Sequence, residues 1–279
     1  MIESNEQAQS KSVVHANNYG KDQRYYDLMA YIISNAVAGE IMAVENYSEL
    51  VTIVQTTNEK IDTVKQATEE SKHIRMLSSL GRRLGYEVKE TIVEPQWLQI
   101  RKHFSAAVSK KDLAACYIIQ DIMTETMAIV LYRLLQRDTD PVTRDLAKTI
   151  LDDELEHLGI GIARLKRLIE EDREAVHDSL VWAHHRVMPE LFSIISTSCV
   201  SLCDELSVDC GSLGLDSIKT DIDAIRTEAL DAYIESIDAV GFDVHVTSPL
   251  IASMSSYGGM PSASSMLSGA GSCGTTTCC

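Results

Sequence analysis

Most of the chain consists of long segments in which apolar residues recur every three or four positions, the pattern of helices that bury one face. Short polar stretches that contain glycine or proline separate these segments, and alternating strand patterns are nearly absent. The pattern therefore predicts an all-α protein. The predicted helices cover about residues 25–57, 58–84, 95–108, 112–137, 142–172, 174–203 and 217–240.

The segment predicted to be helical over 112–137 is apolar nearly all round, which is typical of a central helix buried on every side. The first two long helices form one hairpin, and the helices over 112–137 and 142–172 form a second. The stretch between Gly85 and Leu113 is then the long crossover between the hairpins. This organisation predicts a four-helix bundle with additional helices.

The composition changes at both ends of the chain and suggests three regions. Residues 1–20 are polar and are predicted to be a disordered lead-in, and residues 21–243 carry the helical pattern. Residues 244–279 contain no Asp, Glu, Lys or Arg, and their end is rich in Ser, Thr, Gly and Ala. Such a segment buries too little apolar surface to offset its ordering entropy, so we expect a flexible tail.

The charge of the chain limits its partners. With 25 basic and 41 acidic residues the formal net charge is −16, which argues against nucleic acid or an anionic membrane surface as the main partner. No run of about 18 apolar residues occurs and the N-terminus has no apolar signal region, so we expect a cytoplasmic protein without a membrane span. Disulfides are not expected from the seven cysteines in that compartment.

Four glutamates and two histidines within the predicted helices form a repeated motif. Each hairpin carries an isolated glutamate and then Glu-x-x-His, with glutamate spacings of 30 (70 − 40) and 29 (154 − 125) residues. The candidate metal ligands are Glu40, Glu70, His73, Glu125, Glu154 and His157. Four carboxylates and two imidazoles are the ligand set of a carboxylate-bridged di-iron or di-manganese site in a four-helix bundle.

The spacing explains why these residue types suit a metal pair. Residues three apart on a helix share a face, so each Glu-x-x-His directs a carboxylate and an imidazole at one point. The mixed oxygen and nitrogen set favours two iron ions, with manganese as the alternative. Glu125 lies among apolar residues, where an unpaired carboxylate would be costly and a cation is a natural partner. Asp153, beside Glu154, is predicted to accept a hydrogen bond from a ligating imidazole and so to orient that ring.

Several stretches around these ligands resemble the aldehyde-deformylating oxygenases, ferritin-like di-iron enzymes that convert long-chain fatty aldehydes to alkanes and formate. The resemblance covers about residues 20–258. The stretches that carry it are Gly39-Glu40 to Glu45-Asn46-Tyr47, Glu70-Ser71-Lys72-His73, Gln120 through Glu125 to Ala128-Ile129 and Tyr132, Asp153-Glu154-Leu155-Glu156-His157, Gly241-Phe242, and Met254-Ser255-Ser256-Tyr257-Gly258.

The resemblance implies an enzyme that activates O₂ on an aldehyde-like or other small apolar substrate, with electrons from an external reductant such as a ferredoxin-like donor. It also implies supporting roles beside the metal ions for Tyr47, Gln120, Tyr132 and Asp153. The sequence differs from the family by polar residues near two of the ligands, namely Ser34, Asn35, Asp121 and Thr124.

The last twelve residues, 268–279, resemble the core of a ribosomally made, post-translationally modified peptide of the lanthipeptide or thiazole type. The hydroxyl and thiol side chains that could be modified are Ser272, Cys273, Thr275, Thr276, Thr277, Cys278 and Cys279. On this alternative the helical domain is a large leader, its partners are peptide-modifying enzymes and a protease, and the tail could itself be the substrate. A third alternative is a non-catalytic iron-binding protein.

Overall fold

A computed structural model describes residues 19–21, 23–91, 94–206 and 222–254, without the side chains of 196–206 and 222–224. Within these ranges all regular structure is helical, which confirms the predicted all-α class. The elements are α1 (Gln23–Leu50), α2 (Thr57–Leu84), α3 (Pro95–Lys110), α4 (Leu113–Tyr117), a π-helical segment (Ile118–Thr124), α5 (Glu125–Asp138), α6 (Pro141–Leu206), α7 (Ile222–Val240) and α8 (Val244–Met254).

Two helical hairpins form the bundle, as the hydrophobic pattern predicts. The helix α1 packs along α2, and α5 packs along α6, while α3 lies in the crossover between the hairpins. Two clusters of buried apolar side chains fill the space between the helices. The site described below lies where the two hairpins face each other.

The turn between α1 and α2 lies earlier than predicted. The helix α1 ends at Leu50 rather than near residue 57, because a capping box starts α2: the Thr56 hydroxyl accepts the Glu59 N–H at 3.2 Å, and Glu59 accepts the Thr56 N–H at 3.3 Å. At the other end of α2, Gly85 adopts φ of 82°, a left-handed conformation that closes the helix.

The central helix is not uniform. The prediction of one α-helix over 112–137 is wrong for Ile118–Thr124, where the backbone widens into a π-helix. The hydrogen-bonding pattern there links residues five apart, and the Glu125 N–H donates to the Gln120 carbonyl. Short π-helical segments inside α-helices are frequent at functional sites.

The helix α6 contains a sharp break at the predicted boundary near residue 172. Asp172 has non-helical φ and ψ of −154° and 89°, and its carboxylate accepts the Ala175 N–H at 3.0 Å. The side chain thereby caps the second half of α6. The two helices predicted over 142–172 and 174–203 are therefore two halves of one helical run without a loop between them.

The expectation of a flexible tail from residue 244 is wrong for its first part. Residues Val244–Met254 form α8, which buries Leu250 and Met254 against α6 and α7. The apolar residues of this segment recur at helical spacing, and this burial offsets the ordering entropy without any charged residue.

Two described helical stretches, Gln23–Leu50 and Leu113–Asp138, are long and apolar enough to span a membrane by length and composition. Of their most apolar windows, 61% and 83% is buried inside the fold. Packing between the hairpins accounts for their apolar character.

Candidate metal centre

The six predicted ligands converge at one place between the two hairpins. Glu40 lies on α1, Glu70 and His73 on α2, Glu125 at the start of α5, and Glu154 and His157 on α6, and all six are buried. Their ligand atoms form two overlapping groups, in each of which the atoms lie within 4.8 Å of one another. One group is Glu40, Glu70, His73 and Glu154; the other is Glu70, Glu125, Glu154 and His157.

The overlap gives the site the outline of two adjoining metal positions. Glu70 and Glu154 belong to both groups, as bridging carboxylates would. The Nδ1 atom of His73 lies 3.1 Å from Glu70 and 3.4 Å from Glu154, and the Nδ1 atom of His157 lies 3.0 Å and 3.5 Å from the same two residues. Both imidazoles therefore direct Nδ1 towards the shared carboxylates.

The other nitrogen of each imidazole contacts an acid from the opposite hairpin. His73 Nε2 lies 3.1 Å from Asp153, the residue before Glu154, and His157 Nε2 lies 3.0 Å from Glu69, the residue before Glu70. Carboxylates in this position fix the orientation of a ligating ring and strengthen it as a ligand. The structure thus places Asp153 beside His73 and Glu69 beside His157, and Glu69 is not among the residues predicted from the sequence.

Two buried tyrosines also form hydrogen bonds with ligands of the opposite hairpin. Tyr47 on α1 donates to Glu125 at 2.9 Å, and Tyr132 on α5 donates to Glu40. Each tyrosine follows the isolated glutamate of its own hairpin by seven residues, yet it contacts the glutamate of the other. Each hairpin therefore supplies contacts that position the ligands of the other.

These contacts between the two hairpins reveal an internal pseudo-symmetry. Residues of α1 correspond to residues of the π-helical segment and α5 at an offset of 85 (125 − 40 and 132 − 47). Residues of α2 correspond to residues of α6 at an offset of 84 (154 − 70, 157 − 73 and 153 − 69). The ligands, the tyrosines and the outer acids all obey these two offsets.

The π-helical segment brings Gln120 to the site as well. Its side-chain amide donates to Glu125 at 3.0 Å and accepts a hydrogen bond from Asn46 at 2.7 Å. Gln120 and Glu125 are five residues apart, a spacing that points in different directions on an α-helix but shares a face where the turn is widened. The widened turn therefore brings Gln120 beside Glu125, for a reason that the apolar pattern of the sequence does not reveal.

One side of the centre carries a buried polar network, defined here as Thr63, Gln66, Asp121 and Arg164. The Arg164 guanidinium donates to Asp121 at 3.1 Å, to Gln66 at 2.9 Å and to Thr63 at 3.2 Å. Tyr47 joins it, because its hydroxyl accepts from Gln66 at 3.0 Å and lies 3.0 Å from Asp121, which shares with Glu125 the single proton of that hydroxyl. The network thereby holds the tyrosine that contacts Glu125.

The pseudo-equivalent positions on the other side are apolar. Applying the two offsets to the polar network gives Ala147, Ile150, Ala36 and Leu80, all of which lie together in one apolar cluster. The pseudo-symmetry therefore holds for the ligands and their immediate partners and breaks in the layer behind them.

The electrostatics of the cluster require positive charge at its centre. Burial, followed by the charges of Glu125 and Glu40, raises the pKa of Glu70 to about 8. Burial and the neighbouring Glu154 also raise the pKa of Glu125 well above its usual range. Burial alone would lower the pKa of His157, but the adjacent carboxylates of Glu154 and Glu70 raise it to about 12. Protons thus act as counter-charges where a metal ion would otherwise do so.

The hydrogen bonding also fits a bound metal pair. Four buried atoms of the cluster have no hydrogen-bond partner: Glu70 Oε1, both carboxylate oxygens of Glu154, and His157 Nδ1. Buried polar atoms are rarely left without a partner, because each such atom carries an uncompensated desolvation cost. All four are metal-ligating atom types and all belong to the two bridging residues and one imidazole, so metal ions at this place would satisfy them.

The polar departures near the ligands mostly serve internal contacts. The Ser34 hydroxyl donates to the Ala30 carbonyl at 2.5 Å and accepts the Lys89 N–H at 3.0 Å. Asn35 accepts a hydrogen bond from the Trp97 indole at 3.4 Å. These contacts attach the segment after α2 and the first turn of α3 to α1, and Asp121 takes part in the polar network.

The Thr124 hydroxyl donates to the Gln120 carbonyl at 2.6 Å, which stabilises the end of the π-helical segment. The candidate modified residues of the tail, from Ser272 to Cys279, lie outside the described residues, so their modification stays a prediction.

Comparisons with known proteins agree with this geometry. A family model described as long-chain fatty aldehyde decarbonylase matches residues 22–258. A solved structure described as protein 19 with aldehyde deformylating oxidase activity from Synechococcus superposes with a TM-score of 0.69 at 18% identity, and the match covers 83% of this chain and 98% of that one.

A variant of an R2-like ligand-binding oxidase with an aerobically reconstituted Mn/Fe cofactor superposes with a TM-score of 0.64 at 15% identity. This match covers 78% of this chain and 82% of that one. At such identities the likeness concerns the fold, and it confirms the ferritin-like bundle that the sequence predicts.

Proposed function

The chain belongs to the long-chain fatty aldehyde decarbonylase family, and on this basis we propose that it is a di-iron oxidase or oxygenase that activates O₂ on an aldehyde-like or other apolar substrate. The observation that carries the proposal is the convergence of four carboxylates and two imidazoles, with four unpartnered ligand atoms among them, at one buried point.

Six side chains would hold the metal pair. Glu40 and His73 would bind at one position, Glu125 and His157 at the other, and Glu70 and Glu154 would bridge. When bound, two iron ions, or manganese in their place, would supply one-electron redox chemistry and Lewis acidity.

The surrounding residues orient the ligands and exclude water. Asp153 and Glu69 fix the two imidazole rings, and Tyr132, Tyr47 and Gln120 fix the two terminal carboxylates. Apolar side chains close to Glu125 in sequence, Ile122 and Ile129 among them, are buried as well. Such pre-arranged surroundings reduce the reorganisation that the reaction requires.

An external reductant completes the proposed reaction, since the activation of O₂ consumes electrons that must be supplied again for each turnover. We propose a ferredoxin-like protein as the donor. The cysteine-rich tail as substrate in cis, with the helical domain as a leader, stays a prediction from the sequence.

The test is reconstitution of the full-length chain with Fe(II) under nitrogen, followed by reaction with O₂, a reductant and a fatty aldehyde. We expect about two iron ions per chain, aldehyde-dependent O₂ consumption and formate release. The Glu70→Ala variant removes a carboxylate common to both positions, so it is expected to lose metal and activity together. A wild-type protein that cannot take up Fe(II) would contradict the proposal.

The same experiment separates the enzyme from a non-catalytic iron-binding protein. Iron uptake at full stoichiometry with O₂ consumption that does not depend on aldehydes or other apolar substrates would favour the iron-binding alternative. Lys72→Thr is a suitable control variant, because Lys72 is exposed and has no ion-pair partner among the described residues.

A further inference from the structure

The metal centre is closed on most sides, and we propose that divalent metal ions reach it through the seam between α2 and α6. The seam is defined here by the side chains that contact one another across these two helices, namely Lys65, Glu69 and His73 on α2 and Asp153, Glu156 and His157 on α6. Its carboxylates attract the ions, and Lys65 slows their entry. This inference rests on the proposed metal site and concerns the rate of metal uptake.

The seam is the side on which the groups around the centre are most exposed to solvent. The Asp153 and Glu69 side chains, which contact the two ligating imidazoles, are 38% and 13% exposed, whereas the six ligands themselves are at most 7% exposed. On the other sides, Tyr47 and Tyr132 are at most 1% exposed. Arg164 adds a buried cation to the polar network behind Tyr47, and this charge opposes the approach of a metal ion from there.

Carboxylates lie at both ends of the path past the imidazoles. The rings of His73 and His157 have centroids 6.3 Å apart and planes inclined by 38°. Their Nε2 atoms contact the two acids of the seam, and their Nδ1 atoms contact Glu70 and Glu154. An ion that passes between the rings therefore leaves one pair of carboxylates and meets another, and oxygen ligands of this kind suit divalent cations.

The inner end of this path holds the atoms that lack partners. Glu70 Oε1 and both carboxylate oxygens of Glu154 are buried without a hydrogen bond, whereas the acids at the outer end are hydrogen-bonded and partly exposed. A buried, unpartnered carboxylate gains more from a cation than a solvated one does. The free energy of the ion is therefore expected to fall from the seam towards the centre.

Charge along the seam steers cations to this opening. Glu156 has 56% of its side chain exposed, and Asp152, one turn earlier on the same helix, is exposed as well. With Glu69 and Asp153 they place four acids around one opening, and such a cluster raises the local concentration of cations and their rate of association. Lys65 opposes this effect, because its ammonium group bridges the helices at 2.5 Å from Glu156 and 3.6 Å from Glu69.

The experiment is stopped-flow mixing of the metal-free, full-length protein with Co(II) under nitrogen, with uptake followed by the absorbance of the bound ion. The double variant Asp152→Asn with Glu156→Gln is expected to slow uptake by about three- to tenfold at low salt and much less near 1 M salt. The amount of Co(II) bound at equilibrium should stay the same, because neither side chain forms a hydrogen bond or ion pair with a ligand among the described residues.

The matched control is Glu171→Gln with Asp178→Asn. These two acids are exposed on α6 away from the seam, and their substitution changes the net charge by the same amount. This variant is expected to take up Co(II) at the rate of the wild type, since only the local charge at the opening steers the ion.

Lys65→Thr tests the opposite sign. It installs the residue of the pseudo-equivalent position on α6, Thr149 (65 + 84), and it is expected to speed uptake by about two- to fivefold at low salt. Lys102→Thr is its control, because Lys102 is exposed on α3 and has no ion-pair partner among the described residues. The control should leave the rate unchanged.

Thermal unfolding of each metal-free variant verifies that the fold is retained. Seam variants that take up Co(II) at the rates of their controls would overturn the inference. A fall in equilibrium occupancy that accounts for the slower uptake would overturn it as well, since the acids would then act as ligands. Failure of the wild type to bind Co(II), Mn(II) and Fe(II) would instead overturn the proposed function.

Discussion

Among single residues, the Asp121–Arg164 pair shows how strongly the surroundings of the centre depend on complete pairing. Both side chains are buried, and each satisfies the other together with Tyr47, Gln66 and Thr63. Arg164→Met leaves a buried carboxylate without its cation, so we expect the free energy of unfolding to fall by about 3–5 kcal/mol. Chemical denaturation measures this loss.

The matched control for that prediction is Arg167→Met, one turn further along the same helix. Arg167 is exposed and pairs with Glu59 at 2.7 Å, so its loss is expected to cost at most about 1 kcal/mol. The double variant Asp121→Leu with Arg164→Met removes both charges and should recover most of the lost stability. Equal losses for Arg164→Met and Arg167→Met would show that the buried pair is not the reason.

Gly161 and Gly159 form a second matched pair on α6. A methyl group at Gly161 would lie 2.2 Å from the Asp121 Cβ, whereas one at Gly159 would meet no atom within 4 Å. We expect Gly161→Ala to destabilise the protein by about 1–3 kcal/mol, and Gly159→Ala to stabilise it by up to about 1 kcal/mol through helix propensity. Melting temperatures of the two variants would check the opposite signs.

The ligand residues could be predicted from spacing alone, because Glu-x-x-His on a helix directs both groups to one side whatever that helix packs against. The acids that contact the two imidazoles could not be predicted in this way. The Asp153–His73 and Glu69–His157 contacts cross between hairpins, and spacing along one helix says nothing about which ring of the other lies opposite. Glu69 did carry a signal, since an acid precedes both Glu-x-x-His motifs.

Among whole elements, α8 depends on one buried histidine of α6. His184 lies 3.1 Å from the Tyr233 hydroxyl through Nδ1 and 3.0 Å from the Leu250 carbonyl through Nε2. Because a carbonyl only accepts, Nε2 carries the proton and Nδ1 accepts from Tyr233. Burial, together with the neighbouring His185, lowers the pKa of His184 to about 4 from its ordinary value of 6.5.

This lowered pKa predicts acid sensitivity. Between pH 6.5 and about 4 the unfolded chain binds a proton at position 184 that the folded protein does not, so the stability due to neutral His184 is complete above pH 6.5 and is lost as the pH falls. The loss amounts to at most about 3 kcal/mol. The unfolding free energy, measured by denaturation across this range, should depend less on pH in His184→Gln than in the wild type.

His177→Gln provides the control for the acid experiment, because His177 lies on the same half of α6 with 42% of its side chain exposed. Its substitution is expected to leave the pH dependence of the unfolding free energy unchanged. An unaltered pH dependence in His184→Gln would contradict the role of this residue in acid sensitivity.

Element types and order followed from the hydrophobic pattern, but three local features did not. The capping box at Thr56 was readable as Thr-x-x-Glu, yet the apolar run of α1 continues through residues 51–54 and obscured it. The π-helical segment leaves no mark in apolar periodicity because Ile118–Thr124 is buried on every side. The α8 helix is hard to recognise in the sequence because its segment has no charged residue to mark a solvent-facing side.

In the whole molecule, the centre concentrates four carboxylates in the core, so we expect bound cations to stabilise the fold. Metal removal by a chelator is expected to lower the free energy of unfolding, by about 2.7 kcal/mol relative to protein with free metal at a hundred times its dissociation constant. Denaturation with and without Mn(II) measures the difference. The Glu70→Ala variant, which lacks a shared ligand, should show almost no metal-dependent stabilisation.

The contact between His184 and α8 has a consequence for how this protein can change over generations. The ring bonds to a main-chain carbonyl, an atom that every residue at position 250 provides. This hydrogen bond therefore does not depend on which side chain occupies position 250. The α8 segment can therefore vary among apolar helical sequences that keep its buried contacts, while substitution at position 184 removes this hydrogen bond for all of them.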